Sequence, residues 1–222
     1  MKILFILTLL ATAQEKPKLH YLTSEDLITI EDGLVSPANG SIEDLKDDMK
    51  IDEIIKKRTP KQCAQATREM NQTFESFFGD MITPADLLKL KPLITKIEDD
   101  FGISIYRVKM KAERVRPIDR KPDLKLCPDH KRKEGGYPKD SFPSGHAGSG
   151  YLEALFLSDL YLSKAKEFLE RGEQIGWNRV AIGVHHPSDV IAGQLMAKRA
   201  YKRFKAHGKF RKAFQAVKKS IH

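Results

Sequence analysis

Apolar residues recur at intervals of three and four along most of the chain, which is the spacing of one face of an α-helix. The clearest example follows Thr83-Pro84, where Thr83 is typical of an N-cap and Pro84 of the first helical position. The apolar stripe of that helix comprises Leu87, Leu88, Leu90, Leu93, Ile94 and Ile97. Similar patterns predict further helices over residues 61–79, 101–115, 144–162, 164–183 and 188–207. Because the sequence has no convincing alternation of period two and no internal repeat, it predicts an all-α fold with a single compact helical domain.

Two regions interrupt this pattern. Residues 14 to about 54 are acidic, with eleven carboxylates against four lysines, and we expect them to be irregular apart from a helix start at Ser41. Residues 117–143 are rich in Pro, Lys and Gly and predict a long loop, which in a compact domain is often functional. The predicted organisation is a signal peptide (1–13), an acidic N-terminal segment (14–60), a helical domain (61–207) and a basic C-terminal tail (208–222).

The first 13 residues have the form of a secretory signal peptide. Lys2 provides the positive start, residues 3–10 form an apolar run, and Ala11-Thr12-Ala13 has the small-residue pattern of a cleavage site before Gln14. A buried first helix or strand and an uncleaved anchor are the alternatives, but a spanning helix needs roughly 20 apolar residues. We therefore expect cleavage near Ala13-Gln14 and a periplasmic or secreted protein.

Composition narrows the class of protein further. The chain has 222 residues, of which 41% are hydrophobic and 31% are charged, and its formal net charge is +9. This is enough apolar material for a core, too little for a polytopic membrane protein and too much for a disordered chain. Residues 198–219 hold ten Lys and Arg residues. A solvated helix face explains them, and weak attraction to an anionic membrane surface is the alternative; no signature of specific nucleic-acid binding accompanies them.

The chain contains two cysteines, Cys63 and Cys127. That number excludes a disulfide-rich miniprotein and a cysteine-rich zinc or iron–sulfur scaffold. In an oxidising compartment the two residues would form one disulfide, whereas two unpaired buried thiols are the alternative. Their positions in the sequence do not decide between these outcomes.

Two clusters of polar residues are suited to binding an anion. Lys109 and Arg116 are nearly two helical turns apart, so both cations lie on one face of a helix, where they are either solvated or bind an anion. Ser144, Gly145 and His146 open a predicted helix, whose first amides lack internal partners and attract negative charge. Ser144 would add a hydroxyl donor and His146 a proton donor. An ordinary N-cap beside an unrelated histidine is the alternative.

A third cluster consists of Arg179, His185 and Asp189. His185 and Asp189 are one helical turn apart, and a hydrogen bond between them would leave the other imidazole nitrogen free as a base, nucleophile or ligand. A surface ion pair and a metal site are the alternatives, although no further ligands at suitable spacing accompany the pair. His186 should point away from its neighbour, and we interpret it as a wall residue of the site.

Together the three clusters resemble the signature of the phosphatidic acid phosphatase type 2 superfamily. That signature reads Lys, six residues, Arg-Pro; then Pro-Ser-Gly-His; then Ser-Arg, five residues, His, three residues, Asp. It is matched here by Lys109, Arg116-Pro117, Pro143-Ser144-Gly145-His146, Arg179, His185 and Asp189. The resemblance covers roughly residues 60–205 and is greatest to the bacterial class A non-specific acid phosphatases. One departure is Asn178, which stands where the signature has Ser and leaves the affinity for phosphate in question.

This resemblance implies an acid phosphatase that hydrolyses small phosphate monoesters through a phosphohistidine, with no metal or other cofactor. The residues implied to bind phosphate are Lys109, Arg116, Ser144, Gly145 and Arg179. His185 would attack phosphorus, Asp189 would hold its far nitrogen, and His146 would protonate the leaving group and later activate water. The resemblance also implies an acidic working pH, with His146 protonated and His185 free.

Other functions share parts of this pattern. A phosphatase acting on lipid phosphates or isoprenoid diphosphates at a membrane surface has the same signature, although such enzymes usually have several membrane spans. A vanadate-dependent haloperoxidase has a similar pocket because vanadate mimics phosphate, but those chains are generally much longer. A phosphate-binding module without activity would not need both His146 and the His185–Asp189 pair.

Overall fold

The computed structural model describes residues 18–221, and within that range the chain forms helices and no strands, which confirms the all-α prediction. The predicted signal peptide lies outside the described residues. The helices are α1 (Ser24–Glu31), α2 (Ile42–Lys57), α3 (Pro60–Arg68), α4 (Phe74–Phe78), α5 (Pro84–Ala112), α6 (Pro117–Arg120), α7 (Gly145–Leu160), α8 (Ala165–Ala181), α9 (Pro187–Ala206) and α10 (Gly208–Ile221).

Helix α7 lies at the centre of the fold, packed against α8 and α9. It is buried on nearly all sides, as expected of a helix that other helices surround. Two glycines allow the close approach. A Cβ at Gly172 of α8 would collide with Ala154, and a Cβ at Gly193 of α9 would collide with the carbonyl oxygen of Ser144. The second contact fixes the start of α7, where the cluster that begins at Ser144 lies.

The helix starts predicted at Ser41, Thr83 and Ser144 are confirmed. The side-chain oxygen of each residue accepts a hydrogen bond from the backbone amide three residues later. Each bond satisfies one of the amides that a helix leaves unpaired in its first turn.

Helix α5 corrects the prediction of two helices in this region. It runs without interruption from Pro84 to Ala112, whereas the sequence suggested a break before Phe101. Gly102 is the weak point of the pattern, but it faces open space, while Phe101 and Ile105 on either side are buried in the core. Burial of these side chains outweighs the cost of about 1 kcal/mol for a glycine inside a helix.

The acidic segment also differs from the prediction. Residues 14–54 were expected to be mostly irregular, yet α1 and α2 occupy much of this segment. Their apolar faces are sparse, and α2 instead buries Asp44 and Asp47 beside residues far away in sequence. Residues 61–79 differ in the opposite direction. They form α3, a short turn and α4 instead of one helix, with Gln72 in the left-handed region at φ 48°.

Cys63 and Cys127 form a disulfide, which decides between the two outcomes left open by the sequence. The bond ties α3 to the long loop between α6 and α7. Phe210 of the last helix is buried, and α10 packs against α5 and α9 with most of its basic residues exposed. None of the helices in residues 18–221 has the length and apolar character needed to span a bilayer.

Two buried carboxyl groups lie between α5 and α7. Glu98 accepts a hydrogen bond from the hydroxyl of Ser149, and Glu153 is one turn further along α7. Burial, and in lesser part the charge of Asp99, raises the pKa of Glu98 to about 7. Burial and the proximity of Glu98 raise the pKa of Glu153 well above its usual range.

Candidate active site

A cavity of about 420 Å³ lies at the N-terminal end of α7. Six of the eight residues predicted from the sequence line it, namely Lys109, Arg116, Gly145, His146, Arg179 and His185. The other two, Ser144 and Asp189, are fully buried and contact each other through the amide of Ser144, which donates to the carbonyl oxygen of Asp189 at 2.9 Å. The structure therefore brings the three clusters together in one place.

His185 is held between a carboxylate and a guanidinium. Its Nδ1 lies 3.4 Å from Oδ2 of Asp189, and its Nε2 lies 3.1 Å from Nη1 of Arg116. Because a guanidinium can only donate, Nε2 must accept and carry the lone pair, which places the proton on Nδ1 beside the carboxylate. Burial, and then the charge of Arg116, lowers the pKa of His185 well below its usual range. The imidazole is thus neutral, with its lone pair directed into a cationic cavity.

Asp189 is held in place by several donors. Its Oδ2 also accepts hydrogen bonds from the hydroxyl of Ser141 at 2.6 Å and the amide of His186 at 2.8 Å. Its Oδ1 accepts from Nη1 of Arg114 at 2.7 Å. Burial alone would raise the pKa of Asp189, but its hydrogen bond to His185 and the charge of Arg114 keep that pKa below its usual range. The orientation of His185 therefore rests on an ionised carboxylate.

Arg114 is a site residue that the sequence did not reveal. It is 2% exposed, and besides Asp189 its guanidinium binds Asp44 and Asp47 of α2, each at 2.8 Å. Through Arg114, the acidic segment thereby stabilises the position of Asp189. Nothing in the local sequence distinguishes Arg114 from the other basic residues at the end of α5, because its partners are about 70 residues away along the chain.

The side chain of His146 enters the cavity from the first turn of α7. Among residues 18–221 its Nε2 has no hydrogen-bond partner. Burial, followed by the charge of Arg179, lowers the pKa of His146 to about 3, so the ring is neutral. At the same end of the helix, Ser144 caps the amide of Ala147 and leaves the amides of Gly145 and His146 outside the helical ladder.

Arg179 and Asn178 share one partner, Glu69. Nη2 of Arg179 donates to Glu69 at 3.1 Å and to the carbonyl oxygen of Ala66, while its buried Nε finds no partner within the described part of the chain. Burial lowers the pKa of Arg179 to about 10, against the opposing charge of Glu69. The amide of Asn178 donates to both oxygens of Glu69, at 2.9 and 3.0 Å. Asn178 therefore positions the carboxylate that holds Arg179, and its side chain does not line the cavity.

Lys109 and Arg116 both contact Asp140 of the long loop. Lys109 donates to the carbonyl oxygen of Asp140, and Arg116 forms an ion pair with its carboxylate at 2.9 Å. Burial, and then repulsion from Arg116, lowers the pKa of Lys109 to about 8. Asp140 thus occupies a face of Arg116 that a bound anion would compete for. Sequence analysis did not identify this residue, which lies in the segment expected to be a loop.

His130 and Tyr137, also from that loop, line the cavity as well. Met70, Ile182 and Val184 provide an apolar wall. His186, expected to be a wall residue, lies outside the lining, and its Nε2 is 3.1 Å from the carbonyl oxygen of Val115. The cavity thus combines three cations, unpaired helix amides and a neutral imidazole lone pair with an apolar wall. Such an arrangement can hold a tetrahedral oxyanion while a nucleophile faces its centre.

Comparison with known proteins identifies one matching family model and several similar bacterial phosphatases. The family model described as the PAP2 superfamily matches residues 101–200. A non-specific acid phosphatase of Providencia stuartii is 29% identical over 212 residues, covering 91% of this chain and 85% of that protein. An acid phosphatase of Zymomonas mobilis is also 29% identical, over 83% of this chain and 72% of that protein. A non-specific acid phosphatase of Salmonella typhimurium is 35% identical over 82 residues, which are 37% of this chain and 33% of that protein.

Proposed function

We propose that this chain is an exported acid phosphatase of the PAP2 superfamily that hydrolyses phosphate monoesters through a phosphohistidine, without a metal. The observation that carries the proposal is the neutral His185, whose Nε2 lone pair faces a cavity lined by Lys109, Arg116 and Arg179. The names of the similar proteins favour the same activity.

On binding, the phosphoryl oxygens would replace contacts that the cations make with other protein groups. Arg116 would exchange Asp140 for phosphate, and the free Nε of Arg179 and the amide of Gly145 would donate to other oxygens. Cations and amides fixed before the substrate arrives stabilise the charge that shifts between oxygens during phosphoryl transfer, at little cost of reorganisation.

In the first chemical step, Nε2 of His185 forms a bond to phosphorus as the bond from phosphorus to the ester oxygen breaks. Asp189 stabilises the positive charge that develops on the imidazole. His146 gives a proton to the departing oxygen. Because the pKa of His146 is about 3 in the absence of substrate, the ring is protonated only when a negative charge lies beside it. A phosphate dianion beside Nε2 supplies that charge.

In the second step, water attacks phosphorus and the bond to His185 breaks. His146, now neutral, accepts the proton of that water, and inorganic phosphate leaves. Protonation of His146 and a neutral His185 are both needed at the start of the cycle, so the two histidines titrate as a coupled pair. We expect an acidic optimum for this reason.

A panel of substrates tests the proposed function. We expect turnover of nitrophenyl phosphate, alkyl phosphates and nucleotides between pH 4 and 8, in excess over phosphatidic acid in vesicles. Activity should survive exhaustive chelation, and orthovanadate should inhibit competitively because it occupies the phosphate position. Loss of activity with a chelator, restored by one divalent metal, contradicts the mechanism. A marked preference for the lipid in anionic vesicles, lost at high salt, would instead assign the enzyme to membrane substrates.

The role of His146 is tested by comparing leaving groups. An alkoxide leaves poorly without a proton, whereas nitrophenolate leaves well, so His146→Ala should reduce the hydrolysis of alkyl phosphates more. General acid catalysis is typically worth about 10²–10⁴-fold, which bounds the expected difference. Because dephosphorylation is common to both substrates, the rate of the burst that forms the phosphoenzyme should be measured. Equal losses for both substrates would mean that His146 only binds phosphate.

A further inference from the structure

His130 lies in the same cavity but belongs to none of the three clusters. It is 6% exposed, and in the structure of residues 18–221 its Nε2 is buried without a hydrogen-bond partner. Only two other cavity-lining residues have such an atom, Nε2 of His146 and Nε of Arg179, again among the described residues. An unsatisfied buried nitrogen costs roughly 1–3 kcal/mol, so three of them in residues that line one cavity favour a polar ligand there.

The charged residues that shift the pKa of each histidine indicate which cation lies near it. Arg179 is the charged neighbour that shifts the pKa of His130 and is the first such neighbour of His146. His185 is instead shifted first by Arg116 and also by Lys109. Arg179 is therefore close enough to act on both His130 and His146, and His130 is a cavity-lining residue near that guanidinium.

The backbone around His130 is held firmly. Its amide donates to the carbonyl oxygen of Cys127 at 3.0 Å, and Cys127 is bonded to Cys63 of α3. The same α3 supplies the carbonyl oxygen of Ala66 that binds Arg179. The disulfide thus connects the loop segment that carries His130 to the helix whose backbone binds Arg179.

We propose that His130 is a substrate-contacting residue whose Nε2–H donates to a phosphoryl oxygen alongside Arg179. This inference rests on the proposed function, since it deepens the description of the same site. Burial, followed by the charge of Arg179, lowers the pKa of His130 and so favours the neutral ring, which has a single ring proton to donate. The ligand class is a phosphate monoester or inorganic phosphate, and the role is binding and orientation with no proton transfer.

The test is the affinity for inorganic phosphate, measured by titration calorimetry on the disulfide-bonded full chain. His130→Phe fills the space without a donor and should weaken binding by about tenfold or more, the usual effect of losing a hydrogen bond to a charged group. His130→Gln, whose amide nitrogen reaches about as far as Nε2, should stay within about threefold of the parent chain, by the same scale. The exposed neighbour Asp129 provides the matched control, and Asp129→Asn should leave the affinity unchanged.

Each outcome of the binding test either supports or overturns the proposal. Unchanged phosphate affinity in a folded His130→Phe variant overturns the proposal, because a structural histidine would alter the melting temperature and leave binding intact. If His130→Phe does not fold, His130→Asn replaces it. Its amide reaches only as far as Nδ1, so it should bind weakly beside a tight His130→Gln, and equal affinities overturn the proposal. A parent chain that binds phosphate but hydrolyses no ester contradicts the proposed function, and the binding comparison still decides the role of His130.

Discussion

Replacing His185 with alanine should reduce turnover at least about 10³-fold, or about 4 kcal/mol of activation free energy, and should abolish the phosphoenzyme. The expectation follows from the position of its Nε2, which accepts from Arg116 and has no proton of its own to give. No other described group in the cavity combines a lone pair on nitrogen with a carboxylate behind it. The phosphoenzyme can be trapped by quenching with alkali, in which a phosphorus–nitrogen bond survives, and detected as acid-labile label.

A control variant must separate chemistry from folding. His20 is a partly exposed histidine that contacts Asp99 on the surface, and His20→Ala should retain the parent rate. Helical content and melting temperature of the His185 variant should be compared with this control. Turnover that survives within about tenfold, or label that persists, would show that another residue attacks phosphorus.

Replacing Arg114 should cause the largest loss of stability. Its guanidinium binds three carboxylates, Asp44, Asp47 and Asp189, all of them buried. Removing one partner of a buried ion pair leaves an uncompensated charge and typically costs about 3–5 kcal/mol. For a chain of this size, Arg114→Met should lower the melting temperature by about 10 °C. The activity of any folded fraction should also fall, because Asp189 loses a contact that orients it.

Arg107 of α5 is the control. Its side chain is 38% exposed and pairs with Glu31, which also has Lys111 nearby at 3.8 Å. Arg107→Met should cost clearly less than Arg114→Met, because Glu31 keeps Lys111 as a partner. Adding Asp47→Asn to Arg114→Met should recover part of the lost stability, since one unpaired charge is removed. A loss no greater than that of the Arg107 variant would mean that water or other groups compensate the three carboxylates.

The contrast between Ser144 and Arg114 shows what the sequence could predict. Ser144 begins a helix through a bond to an amide three residues away, so its structural role is visible in a short stretch of sequence. The role of Arg114 depends on carboxylates in α2 that reach it only through tertiary packing. Local periodicity contains no information about such pairs. The same limit applies to Glu69, which holds Arg179 from over one hundred residues away.

The structure of the long loop was harder to predict than the roles of these side chains. Its richness in Pro, Lys and Gly predicts a solvated connection, yet His130 is buried and Asp140 faces two cations of the site. Two interactions hold this segment against the core, the disulfide at Cys127 and the ion pair between Asp140 and Arg116. Both join residues that become neighbours only in the folded chain. The continuous α5 was missed for a related reason, because burial of Phe101 decides a helix that propensity alone would interrupt at Gly102.

The buried pair Glu98 and Glu153 makes folding take up protons from mildly acidic solution. In the unfolded chain both carboxyls ionise near their usual value of 4.5, whereas in the native state Glu98 keeps its proton up to about pH 7. Between these two pH values the native state binds more protons than the unfolded state, so this pair adds stability as the pH falls from 7 towards 4.5. Buried neutral histidines such as His146 and His185 have the opposite effect, since only the unfolded chain protonates them readily below pH 6.5. The carboxyl pair therefore offsets part of the acid sensitivity that the buried histidines of the cavity impose on the fold.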